Sequence, residues 1–468
     1  MDTIVYSFSG LAVLLLLGKY IRLKVKLFQR LFLPSSIIGG LLGLIIIQIL
    51  FYKVRTDKLN EVIKIWMVTP GFLINIVFAT LFLGKAIPRL KTIWNHAGVQ
   101  LIYGQTVGFG QYVVGLGIVM ILLVPLFKVN PMMGALIEIG FEGGHGTAAG
   151  LINTFKNLGW QEGNSLALGS ATIGVFTGVI VGMILINWAS RKGKTEVLED
   201  PKNIPEDELI GIPLKEKRRK AGILTTSVES IEPMALHIAF VGLAILVGFL
   251  ILQLLIFFEN KVLTPTGFPV IMHSFPLFPL SMIGGVIIQI IVDKVDKKGI
   301  LDYNTMQRIH GVALDFLIVA ALASLSVQAI WNNIIPFLVL MIVGIAWNIF
   351  CVTVYAPMIF WNAIFERSIA EFGQSCGVTA TGLVLLRVVD PEHKTPAIEA
   401  FGYKQLLHEP ILGGGLFTGA SLPLIHNYGP LSIFFFALGM VAFWQIFYLV
   451  VFYRKKKEYI TKNKTKVE

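Results

Sequence analysis

Long apolar segments alternate with short charged ones along most of this chain. A helix that crosses about 30 Å of hydrocarbon needs roughly 20 apolar residues, and runs of about that length recur throughout the sequence. The pattern predicts eleven membrane-spanning helices, at 3–18, 31–52, 65–84, 97–127, 164–188, 234–257, 268–292, 311–330, 334–360, 405–427 and 430–453.

Two further apolar segments, 132–155 and 369–389, are broken by glycines and carry carboxylates. Backbone that is not helical can lie at membrane depth only where protein or a water-filled cavity satisfies its N–H and C=O groups. We therefore predict that both segments are re-entrant hairpins and that both line a cavity.

The basic residues fall in alternate loops, and the cytoplasmic side of a membrane retains them. If the N-terminus is outside, the inside loops hold 32 of the 39 Lys and Arg residues. This predicts a topology with the N-terminus outside and the C-terminus inside. The charged segment 191–233 is then a cytoplasmic hydrophilic linker, and 454–468 is a basic cytoplasmic tail.

The two halves, 1–190 and 234–429, resemble each other in sequence. PSSIIGG at 34–40 returns as PLSMIGG at 279–285, and matches follow in the same order at 71–75 and 311–315, at 141–146 and 372–377, and at 174–178 and 415–419. The first half has five helices and one hairpin, so an odd number of crossings inverts the second half. Inverted repeats are characteristic of secondary transporters. Helix 430–453 lies outside the repeat as an extra membrane helix.

The first predicted hairpin combines glycines with side chains that can bind a ligand. Successive glycines let the backbone unwind and expose its polar groups, and a carboxylate, an imidazole and a hydroxyl lie among them. The alternative is a glycine-rich helix contact with a satisfied histidine. The candidate binding residues are Glu142, Gly143, Gly144, His145, Gly146 and Thr147.

The second predicted hairpin offers hydroxyls and freed carbonyls, which suit sodium, and exposed N–H groups, which suit a carboxylate. Its candidate binding residues are Gln374, Ser375, Gly377, Thr379 and Thr381. Cys376, in the same segment, is expected to be a small packing residue.

Asp315 is the clearest charge inside a full helix of the sequence. Such a residue costs about 2.5–3.5 kcal/mol at the centre of the membrane and usually marks an ion or proton pathway. The alternative is a carboxylate near the helix end that pairs with His310. Thr418 is expected to bond its own helix or to bind a ligand. His408 precedes Pro410 at a predicted helix start, where capping explains it as well as a functional role does.

The composition excludes several classes of function. The chain is 55% apolar and only 14% charged, whereas soluble domains carry about 25% charged residues. A soluble enzyme is therefore excluded, and neither HExxH nor GxSxG supports a membrane-embedded one. The net charge of +11 comes from short loop runs, so we predict no nucleic-acid partner. Two cysteines cannot form a disulfide framework or a four-ligand zinc site.

FEGGHGT at 141–147, GVTAT at 377–381 and the repeat resemble the glutamate:sodium symporter family of bacteria. The likeness covers roughly 1–190 and 234–430. It implies a multi-pass, homodimeric, sodium-coupled carboxylate or amino-acid importer of the inner membrane, in which a core domain moves against a scaffold. The family's glycine-rich loops correspond to Gly143, Gly144, His145, Gly146, Thr147, Gly377, Thr379 and Thr381. Glu142 departs from the family, since those carriers have a small polar residue there.

Two functional hypotheses follow. The first is sodium-driven import of glutamate or a related solute by alternating access, with Na⁺ as the coupling ion and Thr379, Thr381 and Asp315 as its candidate ligands. The second is a cation/proton antiporter that uses Asp315 or Glu142. Both place the chain in a lipid bilayer and predict no enzymatic activity.

Overall fold

The computed structural model describes residues 2–30, 33–53, 57–85, 90–197, 210, 212, 215–218, 220–266, 271–390 and 394–464. All regular elements in these ranges are helical, and ten helical segments are long and apolar enough to cross a membrane, one of which, Ile364–Val389, is interrupted at Gly377 and Val378. The chain is therefore an all-α, multi-pass membrane protein. Residues 198–209 of the predicted linker and 465–468 of the predicted tail lie outside the described residues.

The α-helices, in chain order, are α1 Asp2–Lys24, α2 Lys26–Arg30, α3 Ser35–Lys53, α4 Asp57–Ala79, α5 Leu90–Ile118, α6 Val124–Phe127, α7 Gly144–Gly150, α8 Ile152–Asn157, α9 Glu162–Arg191, α10 Pro233–Phe258, α11 Phe278–Val295, α12 Tyr303–Ala323, α13 Val327–Asn332, α14 Ile334–Phe350, α15 Ala356–Ile359, α16 Ile364–Val389, α17 Ala397–His408, α18 Leu416–Tyr428, α19 Pro430–Val451 and α20 Tyr453–Lys464. Short 3-10 turns occur at Pro131–Ala135, Lys215–Lys217, Thr264–Thr266 and Met272–Ser274, and π-helical turns at Val119–Leu123, Glu138–Glu142, Glu259–Leu263 and Cys351–Tyr355.

Ten of the eleven predicted spans are confirmed as helices, although residues 31–32 and 268–270 of two of them lie outside the described residues. Helix α11 begins ten residues later than predicted, α5 begins seven residues earlier, and two helices begin eight residues earlier. These are α4, which begins at Asp57, and α12, which begins at Tyr303. The start of α12 is fixed by Asp302, whose carboxylate accepts a 2.8 Å hydrogen bond from the backbone N–H of Thr305. Capping of this kind lets a helix begin in a polar stretch that hydropathy assigns to a loop.

The predicted helix over 405–427 is wrong. The chain forms α17 and α18 instead, with an irregular loop between them. Pro410 has no backbone N–H to continue α17. Gly413 and Gly414 have φ of +68° and +107°, a region that glycine adopts without steric cost.

Helix α16 reverses direction within the predicted hairpin 369–389. Gly377 and Val378 have non-helical dihedrals, and a Cβ atom placed on Gly373 would lie 2.6 Å from the Cα of Gly382. These two glycines would be about 13 Å apart along a straight helix. The segment is therefore a pair of short helical arms packed together. That it enters and leaves the membrane on one side remains a prediction, as it does for 132–155.

The described chain divides into two compact units, each built from segments of both sequence halves. The first unit contains Met1–Pro88, His145–Leu168 and Glu206–Val327, and the second contains Arg89–Gly144, Gly169–Pro205 and Gln328–Glu468. A single long helix, α9, runs from one unit into the other. The division into two inverted halves describes the sequence repeat and stays a prediction.

In the first unit, glycines of the repeat make equivalent close contacts. Gly39 of α3 packs on the carbonyl of Leu14 in α1, and Gly284 of α11 packs on the carbonyl of Ala244 in α10. A side chain at either glycine would overlap that carbonyl. The pairs α1–α3 and α10–α11 therefore share a close glycine–carbonyl contact, and the structural repeat stays a prediction.

In the second unit, two apolar clusters position the central polar residues. One joins α9 to both arms of α16 and includes Ile186, Phe372 and Leu385. The other joins α5 to the segment around Tyr355 and to α19. These clusters pack beside the middle of α5 and against both arms of α16.

Candidate functional site

The first interrupted segment, 131–150, is a series of short turns. A 3-10 turn is followed by the π-helical turn Glu138–Glu142, and α7 begins at Gly144. Turns of the π type are rare and occur frequently at functional sites. Here the turn carries two buried carboxylates, Glu138 and Glu142.

The second interruption, in α16, contains a strained residue. Val378 has φ 66° and ψ 167°, a region that is essentially restricted to glycine and costs about 1–3 kcal/mol for other residues. The hydroxyl of Thr381 donates to the carbonyl of Gly377, which the break has released from the helix. Strain of this kind persists only where surrounding packing imposes it, and it is concentrated at binding sites.

The two interruptions are in contact within the second unit. Gly144 has φ +69°, and a Cβ atom there would overlap Cγ1 of Val378. Gly174 of α9 closes the junction from another direction, because a side chain there would overlap the carbonyl of Cys376. The structure thus brings the two glycine-rich turns of the sequence together; their depth in the membrane remains a prediction.

Five buried ionisable side chains accompany this junction, and we call them the carboxylate cluster. None is more than 3% exposed. They come from the π turn, from the first arm of α16 and from α17, and they are Glu138, Glu142, Glu371, Lys404 and His408.

Glu138 holds three separate elements to the π turn. Its Oε2 accepts a 2.6 Å hydrogen bond from the hydroxyl of Tyr112 in α5. Its Oε1 accepts one of 2.7 Å from the hydroxyl of Thr418 in α18 and one of 2.8 Å from the backbone N–H of Gly413. This carboxylate is therefore fully bonded and fixes the loop after α17.

Glu142 has one bonded oxygen and one open oxygen. Its Oε1 is hydrogen-bonded to Nε2 of His408. The side-chain amide nitrogen of Gln105 lies 3.3 Å from Nδ1 of His408. The Oε2 of Glu142 is buried and has no hydrogen-bond partner among the described residues.

Lys404 is held by oxygen atoms of α16. Its Nζ lies 2.6 Å from Oε1 of Glu371 and 2.9 Å from Oε1 of Gln374, and both ends of the ion pair are fully buried. The amide of Gln405 also donates to Oε1 of Gln374, at 2.6 Å. Five residues after Gln374 in α16, the hydroxyl of Thr379 donates a 3.1 Å hydrogen bond to Oε1 of Glu409.

Helix α5 presents a narrow face of amides and glycines to the cluster. A Cβ atom on Gly104 would lie 2.6 Å from Oε1 of Glu371, and one on Gly108 would lie 2.8 Å from Oε2 of Glu142. Larger residues at these positions would displace the carboxylates. The face consists of residues spaced by four, four and three, which share one side of a helix: Gln100, Gly104, Gly108 and Gln111.

The carboxylate cluster contains three carboxyl groups and two basic groups, an ammonium and an imidazole. With a neutral imidazole, three carboxylates face one ammonium, and an uncompensated buried charge costs about 3–5 kcal/mol. One ligand atom from each of Glu142, Glu371 and His408 lies within 4.8 Å of the others. These ligand atoms can hold a cation, and because they are mainly oxygen atoms they suit a hard ion such as sodium.

The predicted site residues fall into both units. Gly143 and Gly144 belong to the first break, and Gln374 and Thr379 join the network around Lys404. The carbonyl of Ser375 accepts hydrogen bonds from Gln111 and Asn348. The second unit therefore holds Glu142, Gly143, Gly144, Gln374, Ser375, Gly377, Thr379 and Thr381.

The remaining predicted residues, His145, Gly146, Thr147 and Asp315, lie in the first unit. His145 and Thr147 are buried in α7, whereas Asp315 is exposed in the middle of α12. The helix starts at Tyr303, so Asp315 is not near its end as predicted. The suggested partner, His310, instead has its Nδ1 3.1 Å from the carbonyl of Val77.

Sequence reasoning missed most of the cluster. Glu138 and Glu371 were not singled out, capping and function were equal alternatives for His408, and Lys404 fell in a predicted loop. The sequence did contain a signal for this cluster, which is the spacing of ionisable residues in apolar segments. Glu138 lies four residues before Glu142, and Lys404 lies four residues before His408. Such pairs project from one face of a helix and are expensive in a membrane unless they have partners.

The first unit contains a separate cavity of about 260 Å³. Its described lining carries amides, a hydroxyl and an imidazole together with apolar side chains, and no carboxylate or ammonium. An uncharged lining gives little attraction to a cation. The polar residues are Asn75, Asn153, Thr154, Asn157 and His273.

Comparison with known proteins gives one finding. A family model described as sodium/glutamate symporter matches residues 2–384, which is most of the chain. No curated protein matches.

Proposed function

Because the chain belongs to the sodium/glutamate symporter family, we propose that it is a sodium-coupled symporter that imports glutamate or a related amino acid or carboxylate. We place the binding site at the junction of the two helix breaks in the second unit. We further propose that the protein works by alternating access as a homodimer in the bacterial inner membrane. The family supports sodium-coupled glutamate transport, and the ten apolar helical segments support a multi-pass membrane protein.

The contact between Gly144 and Val378 is the observation that carries the proposal. Broken helical segments that meet present unpaired N–H and C=O groups at one place, which is how secondary transporters bind solute and coupling ion. The carboxylate cluster beside the junction adds the negative charge that a sodium ion requires.

The carboxylate cluster has more carboxylates than positive groups, and this excess of negative charge also determines the order in which sodium and the solute bind. Glu142, with its open oxygen, would repel an anionic solute unless a cation were already present. We therefore propose that sodium binds first and that glutamate binds well only to the sodium-loaded protein. This difference in glutamate affinity between the sodium-loaded and the sodium-free protein is what couples the binding of the two.

One observation favours a second candidate, the cation/proton antiporter. The hydrogen-bonded pair of Glu142 and His408 is buried and can hold a proton on either partner. A cation that bound to the open oxygen of Glu142 would favour the ionised carboxylate and so favour release of a proton. Antiport needs no organic solute, and this separates it from symport.

We expect purified protein in liposomes to accumulate glutamate when an inward sodium gradient is imposed. Coupling free energies of 1–3 kcal/mol correspond to about 5- to 150-fold changes in affinity, so replacing sodium with choline should reduce uptake at low glutamate by a factor in that range. Radiolabelled glutamate uptake measures the effect.

The control is sodium added without solute to vesicles that contain a pH-sensitive dye. A pH change under that condition identifies antiport. Equal glutamate uptake in sodium and in choline would contradict the symport proposal.

A further inference from the structure

We propose that the ammonium group of Lys404 is a resident cation, tethered in a site that would otherwise bind an alkali metal ion. The inference deepens the proposed function, on which it rests for its place in the transport cycle. Its physical basis is the set of contacts around Nζ, which can be judged without any transport measurement.

In the described part of the chain, the ammonium group of Lys404 makes its polar contacts with oxygen atoms. A carboxylate oxygen of Glu371 lies at 2.6 Å and an amide oxygen of Gln374 lies at 2.9 Å. These are the ligand types that alkali and alkaline-earth cations use in proteins. A positive charge held by such oxygens, with no access to water, has the surroundings of a bound metal ion.

The ligands are positioned from behind by other side chains. The amide of Gln100 donates a 3.0 Å hydrogen bond to the second oxygen of Glu371. The amide of Gln405 donates to the same oxygen of Gln374 that contacts Lys404. Orientation of ligands by outer hydrogen bonds is typical of metal sites.

Further cation ligands lie close to this position. Glu142, Glu371 and His408 have ligand atoms within 4.8 Å of one another, and one oxygen of Glu142 is buried with no hydrogen-bond partner in the described part of the chain. If the side chain of Lys404 were removed, a mobile cation at Glu371 would have at least one additional carboxylate in reach. The space beside Gly104, where the end of the Lys404 side chain now lies, would be free for the ion.

The tethered charge reduces the number of ions the protein has to bind from solution. Lys404 compensates Glu371 permanently, whereas Glu142 depends on a cation supplied from outside. If the lysine is removed, Glu371 also lacks a positive partner. The protein should then bind a second cation from solution. A purely structural ion pair has no such consequence, since its loss only destabilises the fold.

The test is the sodium dependence of melting temperature in detergent without glutamate, for wild type, Lys404→Ala and the neutral pair Glu371→Gln/Lys404→Met. A ligand that binds the folded state stabilises it by an amount that grows with the logarithm of its concentration. We expect the slope for Lys404→Ala to exceed that of wild type by the equivalent of about one additional ion. The neutral pair should show the same increase of melting temperature with the logarithm of sodium concentration as wild type. Choline should not change the melting temperature of any of the three proteins.

Equal slopes in Lys404→Ala and wild type would overturn the inference. If Lys404→Ala aggregates in choline but folds in sodium or potassium, the inference is supported. If it aggregates in every salt, whether or not the neutral pair folds, a mobile cation does not replace the ammonium and the inference is wrong. Failure of wild-type glutamate uptake would remove the proposed function but would leave this comparison of slopes intact.

Discussion

Replacing Gly144 with alanine is expected to abolish most sodium-driven uptake while leaving expression intact. The residue has φ +69°, and an L-residue in the left-handed region costs about 1–2 kcal/mol. The new methyl group would also overlap Val378, and overpacking typically costs a further 1–3 kcal/mol. The overlap is relieved by rotating the Val378 side chain or by separating the two helix breaks, and either change disturbs the junction. We therefore expect uptake to fall by more than about tenfold.

Two variants separate the overlap from the backbone strain. Gly159 has φ +74° and nothing within 4 Å of an added Cβ, so Gly159→Ala has the same strain without the collision and should keep most uptake. The double variant Gly144→Ala/Val378→Gly removes the colliding side chain and should recover much of the loss. Normal uptake by Gly144→Ala, or an equal loss in Gly159→Ala, would mean that contact between the breaks is not needed for transport.

Glu138→Ala is expected to cause a large loss of stability. The substitution removes the acceptor of three donors, from Tyr112, Thr418 and the backbone of Gly413. A buried donor left without a partner costs about 1–3 kcal/mol, so the total is at least about 3 kcal/mol. We expect the melting temperature to fall by roughly 5 °C or more, with loss of the ordered loop after α17.

Glu138→Gln provides the matched comparison. Its amide oxygen still accepts from Gly413 and Thr418, and the hydroxyl of Tyr112 can turn to accept from the amide. The variant should therefore fold almost normally, and Thr418→Val, which removes one donor, should cost about 1 kcal/mol. If glutamine destabilised the protein as much as alanine, the hydrogen bonds would not explain the role of Glu138.

Much of the fold follows from the sequence because it is written in local patterns. Ten apolar runs became helices, and the glycines of 143–146 and 373–382 marked where helices are interrupted. The loop that divides α17 from α18 was missed because hydropathy averaged over 405–427 hides Pro410 and the glycines after it. A span of apolar composition does not distinguish one straight helix from two short ones.

The binding cluster was harder to predict because its pairings are distant in sequence. Glu142 pairs with His408, 266 residues away, and nothing local to either residue identifies the other. Lys404 shows the same limitation, since loop position predicts an exposed cation whereas the fold places it against Glu371 at 0% exposure. The assignment of His145 and Thr147 to the first unit also depends on tertiary packing.

The central claim is that solute and sodium bind where the two helix breaks meet in the second unit. A cryo-electron microscopy map of the protein with glutamate and sodium tests it most directly. We predict ligand density in contact with the backbone at Gly144 and with Thr379, beside Glu142. Density in the cavity of the first unit, next to Asn75 and His273, with none at the junction, would contradict the claim.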